Sequence, residues 1–98
     1  MNSDDAIAIL RQHADELRAR GVRHAALFGS VARGEADLES DLDVLIELAP
    51  DAAIDLWAYA GLKSYIEGLF TGSVDVVDVD ALKPHERRPA TADAIYAF

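Results

Sequence analysis

The chain contains no cysteine, and that absence removes disulfides, thiolate metal sites and cysteine nucleophiles together. Basic residues are scarce too: nine Lys and Arg stand against eighteen Asp and Glu, a formal charge of −9. A surface this negative argues against direct nucleic-acid binding, which needs Lys and Arg to displace counterions from phosphates. No apolar run approaches the roughly 18 residues of a membrane span. The opening Met-Asn-Ser-Asp-Asp is acidic where a secretory leader would be basic. A cytoplasmic protein with no membrane contact is therefore expected. The sequence has no Gly-x-x-x-x-Gly-Lys phosphate loop, and His13, His24 and His85 have no partners at metal-ligand spacing. Repeats, linkers and low-complexity tracts are also missing.

The chain has 98 residues, 51% of them hydrophobic. That is the size of a single domain spanning 1–98, and too apolar for a disordered acidic chain. The acid excess is uneven. From Gly34 to Leu62 there is no Lys or Arg, yet Glu35, Asp37, Glu39, Asp41, Asp43, Glu47, Asp51 and Asp55 fall there. Such crowding is either a solvated acidic face or a cation site.

Ser3 suits the N-cap of a first helix, Asp4 and Asp5 suit its positive end, and Ile7, Leu10, Ala14 and Leu17 keep helical spacing. Arg18 and Arg20 fit its last turn and Gly21 can stop it. Val22 to Phe28 reads as a strand ending at Gly29-Ser30, Val31 to Arg33 as a short helical turn, and Gly34 to Ser40 as a polar loop. Asp41 to Leu48 is a second strand, with Leu42, Val44 and Ile46 on one face and Asp41 and Asp43 on the other. Pro50 and Asp51 open a long helix whose expected core stripe is Ile54, Trp57, Leu62, Ile66 and Leu69. Trp57, Tyr65 and Phe70 are expected in the core rather than as a base-stacking platform. Val74 to Val79 is a third strand. The last segment opens at Leu82-Lys83-Pro84, is expected to break or kink at Pro89, and resumes as helix over Asp93 to Phe98. This order predicts an α/β (α+β) domain, a small mixed β-sheet with helices packed on one face.

One constellation carries chemistry. A strand delivers Gly29-Ser30 into a turn, where glycine lets the backbone approach a ligand closely and exposed N–H groups with a Ser hydroxyl can hold phosphate oxygens. After a ten-residue spacer comes Asp41-Leu42-Asp43 on a strand. Residues i and i+2 point the same way, so the two carboxylates converge and repel unless a cation lies between them. Hard oxygen ligands of this kind suit Mg²⁺, which also takes substrate phosphates as ligands. A third carboxylate is available from Asp75, Asp78 or Asp80. Alternation puts Asp75 on one strand face and the other two on the opposite face, and periodicity does not choose between them.

Leu27-Phe28-Gly29-Ser30-Val31-Ala32-Arg33-Gly34, followed by Ser40-Asp41-Leu42-Asp43-Val44-Leu45-Ile46, resembles the minimal nucleotidyltransferases of the DNA polymerase β-like superfamily. Their motif is Gly-Ser, a spacer of this length, then Asp-x-Asp at the start of a strand, with a third carboxylate on a later strand. The flanks Ala32-Arg33-Gly34-Glu35-Ala36 and Val74-Asp75-Val76-Val77, with Leu82-Lys83-Pro84 beyond, extend the resemblance from about Ala26 to Phe98.

The resemblance implies the polymerase β-like nucleotidyltransferase fold and in-line attack of a hydroxyl on the α-phosphorus of a nucleotide, with pyrophosphate leaving. Asp41 and Asp43 would hold two Mg²⁺ ions. Asp75, the acid matching the family position, would join them and help deprotonate the acceptor. Gly29 and Ser30 would hold the triphosphate of ATP, and Arg33 would reach the phosphates. Small members of this kind resemble the antitoxin half of a two-gene pair whose other half is a helical HEPN ribonuclease. The implied reaction is then transfer of AMP to a Tyr hydroxyl of a HEPN toxin, within a hetero-oligomer, and an acidic surface suits a basic partner. Two other readings stay open: an antitoxin acting by contact alone, and an enzyme that nucleotidylates a small molecule. Glu86 and Pro89 depart from the family pattern, standing where the last helix should be apolar.

Overall fold

The computed structural model describes residues 2–34 and 41–98. Asn2, one residue before the expected Ser3, caps the first helix: its side-chain oxygen accepts from the Asp5 amide at 2.8 Å. A cap of this kind contributes about 1 kcal/mol by satisfying an orphan N–H group. The first helix is divided at His13 into α1 (Ser3–Gln12) and α2 (Ala14–Ala19). The His13 ring turns back so that Nδ1 lies 2.9 Å from the Ile9 carbonyl. Ala6, Ile7, Leu10 and Leu17 are buried, close to the stripe that the spacing predicts.

Strand β1 (Val22–Phe28) leads into the single turn α3 (Gly29–Ala32), and β2 (Leu42–Leu48) follows. Helix α4 (Leu56–Gly68) returns the chain to β3 (Val74–Asp78), and a 3₁₀ turn over Val79–Ala81 precedes α5 (Pro84–Ala92) and β4 (Ile95–Tyr96). The sheet order is β3-β2-β1-β4. β2 runs parallel to β3 and antiparallel to β1, so the sheet is mixed as expected, with the helical crossover that a parallel pair requires. β1 carries an irregularity between Val22 and His24, which keeps Val22 on the core face although Leu27 and Ala25 hold the odd positions there.

The main core lies on one face of the sheet, where Leu27, Val44, Ile46 and Val76 meet Leu10, Leu17, Leu62 and Ile66. Each such fully buried side chain stabilises the fold by about 1.5–3 kcal/mol. Leu45 and Ala26 point to the opposite face, yet they too are buried. Arg87 and Thr91 of α5 share a cavity with Leu45 on that side. The expectation of helices on one face only is thus corrected: α5 lies along the other.

Two further expectations change. The helix after β2 starts at Leu56 and not at Pro50-Asp51, because the Asp55 carboxylate caps it, accepting from the Ala58 amide at 2.7 Å. That shift rotates the core stripe. Leu62 and Ile66 are buried and Leu69 packs against the core, but Trp57 is 85% exposed beside an exposed Leu56. Ile54 precedes the helix, close to Gly21. Phe70 is buried and Tyr65 packs against the core, as expected.

At the C-terminus, α5 runs through position 89 without ending there, so the expected break at Pro89 is corrected. Pro84 occupies the first turn, where its missing N–H costs nothing. Glu86, out of pattern as an apolar helix position, accepts from the Lys83 amide at 3.3 Å and so closes the helix start. Asp93 to Phe98 is not helical. Ile95–Tyr96 pairs antiparallel with β1 at Leu27 and Ala26, and the Ala97 amide donates to the Ala25 carbonyl at 2.8 Å. The otherwise open edge of β1 supplies hydrogen-bond partners that no helical turn could match. Arg11 Nε fixes the same segment by donating to the Ala97 carbonyl at 2.8 Å. Among the described residues no helix is long and apolar enough to cross a membrane.

Candidate active site

The pairing register decides what alternation leaves open. β2 and β3 pair with Asp43 opposite Asp75, Val44 opposite Val76 and Ile46 opposite Asp78. Asp75 therefore shares the face of Asp43, turned away from the main core, whereas Asp78 lies on the face of Ile46. Asp78 and Asp80 have local duties. The Asp78 carboxylate accepts from the Asp80 amide at 3.0 Å, starting the 3₁₀ turn, and Asp80 lies 3.9 Å from the Arg87 guanidinium. Asp78 also raises the pKa of Tyr59, second to burial of the phenol. Asp41 stands exposed just ahead of β2, two residues from Asp43.

On the other side of β2, Asp43 pairs with Phe28, the last residue of β1, so the chain turns at Gly29 beside the Asp43 side chain. Gly29 has φ +76°, a left-handed conformation that L side chains rarely adopt. A Cβ placed on it would collide with Asp43 Oδ2 and lie 3.1 Å from Cγ. The turn backbone is thus packed directly onto the carboxylate, and only glycine permits that approach. Ser30 follows in α3, next to this contact in the chain.

Electrostatics single out Asp43. Burial, then the charge of Asp75, then that of Asp41 raise its pKa above the ordinary 3.8, and Arg33 offsets part of this. These causes place four of the residues selected from the sequence within one field. The Arg33 guanidinium lies 3.6 Å from Asp93 Oδ2, tying the end of α3 to the C-cap of α5. Sequence spacing gave no signal for Asp93, because the contact is made across the fold. Ser40 and the acids Glu35, Asp37 and Glu39 lie outside the described residues. Among the described residues, no three His, Cys, Asp or Glu side chains are already gathered closely enough to hold a metal ion.

Residues 10–97 match the nucleotidyltransferase domain family. The chain is 36% identical over 90 residues to the protein adenylyltransferase MntA of Thermococcus cleftensis, covering 91% of this chain and 89% of that protein. Among solved structures, one described as a "putative minimal nucleotidyltransferase" superposes with a TM-score of 0.79 at 34% identity, covering 97% and 95% of the two chains. A toxin–antitoxin structure with AMP-PNP superposes with a TM-score of 0.69 at 20% identity, covering 90% and 72%, which is a likeness of fold. So is that to the MNT antitoxin complex of a tri-AMPylated HEPN toxin from Shewanella oneidensis, with a TM-score of 0.63, 17% identity and coverage of 94% and 71%. A family match over residues 10–97 and relatives that match across nine-tenths of the chain leave one assignment: the chain belongs to the nucleotidyltransferase domain family and is a nucleotidyltransferase.

Proposed function

We propose that the protein transfers AMP from ATP to a tyrosine hydroxyl of a HEPN-type toxin, and thereby acts as its antitoxin. The observation that carries the reading is the Asp43 carboxylate, set between Asp75 in register and the Gly29 turn that only glycine allows. The 36% identical relative is a protein adenylyltransferase, which supports a protein as acceptor.

The donor set suits a divalent cation. Asp41, Asp43 and Asp75 offer only hard oxygens, and their mutual repulsion, felt in the raised pKa of Asp43, is relieved by a positive charge. Mg²⁺ is ordinarily held by one or two carboxylates and completed by substrate phosphates, so a protein cage need not be formed beforehand. These three residues would hold two Mg²⁺ ions, which supply neutralisation of the charge on the reacting phosphates. Gly29 and Ser30 would present backbone N–H groups to the triphosphate, and Arg33, beside Asp43, would offer a guanidinium to it. Asp75 would accept the proton of the acceptor hydroxyl as its oxygen bonds to the α-phosphorus, and the bond to the pyrophosphate oxygen breaks.

The test is incubation with labelled ATP, Mg²⁺ and a HEPN partner. The partner should become labelled and its ribonuclease activity should fall, and Asp43→Asn should abolish both effects. Labelling that persists in Asp43→Asn refutes the site assignment. Neutralisation without label, equal in wild type and variant, refutes catalysis in favour of an antitoxin that acts by contact.

A further inference from the structure

A cavity of about 200 Å³ lies on the carboxylate-bearing face of the sheet, between β2 and α5. We propose that it receives the nucleobase of the bound nucleotide, and that Glu47 selects a base carrying an exocyclic amino group. This rests on the triphosphate lying at Gly29 and Asp43, as proposed above.

Position comes first. Leu45 and Glu47 share the face of Asp43, and at the rise of a strand they stand about 7 and 13 Å further along it. A ribose linked to a phosphate at Asp43 would carry its base over Leu45 and toward Glu47. The lining is mixed in the way a base requires. Leu45 and Val79 give apolar surface for its faces, Glu47 accepts hydrogen bonds, and Arg87 on α5 donates them. The half-buried Glu47 carboxylate has no hydrogen-bond or ion-pair partner among the described residues, so an amino group entering the cavity would meet an unused acceptor.

An acceptor tyrosine fits this cavity less well. Its hydroxyl must reach the phosphorus at the carboxylates, and its ring would cover Glu47, Asp80 and Arg87 with no polar edge to bond them. A nucleobase brings donors and acceptors together on one edge.

ATP and purine riboside triphosphate, in which a hydrogen replaces the amino group and N1 stays an acceptor, isolate the contact. Binding of ATP, purine riboside triphosphate and inorganic tripolyphosphate is measured calorimetrically with Mg²⁺ on the whole chain. Wild type should bind ATP about tenfold more tightly than purine riboside triphosphate, as one hydrogen bond to a charged group allows. In Glu47→Ala that ratio should collapse toward one, with tripolyphosphate affinity unchanged. Arg87→Ala, an exposed position on α5 that does not put folding at risk, should weaken ATP binding and leave tripolyphosphate binding as it was. Equal binding of ATP and purine riboside triphosphate by wild type, or a ratio untouched by Glu47→Ala, overturns the base subsite and leaves the nucleotide site standing. Failure of wild type to bind either ATP or tripolyphosphate overturns both.

Discussion

Replacing Gly29 with alanine separates two costs that the structure predicts together. The first is conformational: an L residue held at φ +76° costs about 1 kcal/mol. The second is steric. The new methyl would press on Asp43 Oδ2 and Cγ, so the carboxylate must leave its position at a further cost of about 1 kcal/mol for an off-rotamer side chain. Urea unfolding should thus show Gly29→Ala destabilised by about 2 kcal/mol in all. Transfer activity should fall by roughly a hundredfold, the usual consequence of moving a reacting group by an ångström. Gly72→Ala is the control. Its φ is +87° and a Cβ there would meet nothing within 4 Å, so it should lose about 1 kcal/mol and keep its activity. Asp43→Ala tests the contact itself, because the remaining Asp43 Cβ would lie 3.5 Å from the new methyl, an ordinary distance. In that background the cost of Gly29→Ala should drop to about 1 kcal/mol, a coupling measurable in a double-mutant cycle. If Gly29→Ala costs no more than Gly72→Ala and transfers at the wild-type rate, the turn is not packed on the carboxylate.

Two other consequences are open to measurement. Because Asp43 has a raised pKa, the folded chain holds that proton more tightly than the unfolded chain does. The cost of ionising it is absent below the ordinary 3.8 and complete above the raised value, so Asp43→Asn should increase Tm at pH 7 and lose that advantage below pH 3.8; a lower Tm at pH 7 contradicts the cost that burial and the neighbouring carboxylates impose on the charge. Asp75→Asn should reduce protein labelling by at least about a hundredfold. Asp78→Asn, whose amide oxygen can still accept from the Asp80 amide, should label normally with stability within about 0.5 kcal/mol of wild type, and the reverse outcome would move the third carboxylate to Asp78.

Much of the fold was legible locally. β1 has the predicted bounds, and β2 and β3 differ from expectation by one residue at one end. Their apolar runs are short, strongly patterned and bounded by turn residues, so neighbouring residues suffice to define them. Trp57 falls on an apolar stripe only when the helix is started at Pro50. The cap at Asp55 sets the true start, and capping depends on one hydrogen bond that spacing does not reveal. β4 carries no pattern of its own, since a two-residue strand has no periodicity. It exists because β1 has an open edge to pair with.

The sequence by itself determined that Asp43 projects from the side of a strand opposite Leu42 and Val44, and that glycine begins the turn after β1, since both follow from backbone geometry within a few residues. Tertiary structure decided which distant carboxylate joins Asp43. Asp75 and Asp78 sit on the same strand with opposite faces, and a change of one residue in register would exchange them. The observed pairing sets Asp75 against Asp43. The same packing carries α5 across the sheet, creating the cavity beside Glu47 from residues that have no proximity in the chain. Alternation fixes which side a residue faces, but only long-range pairing and burial fix what it faces there.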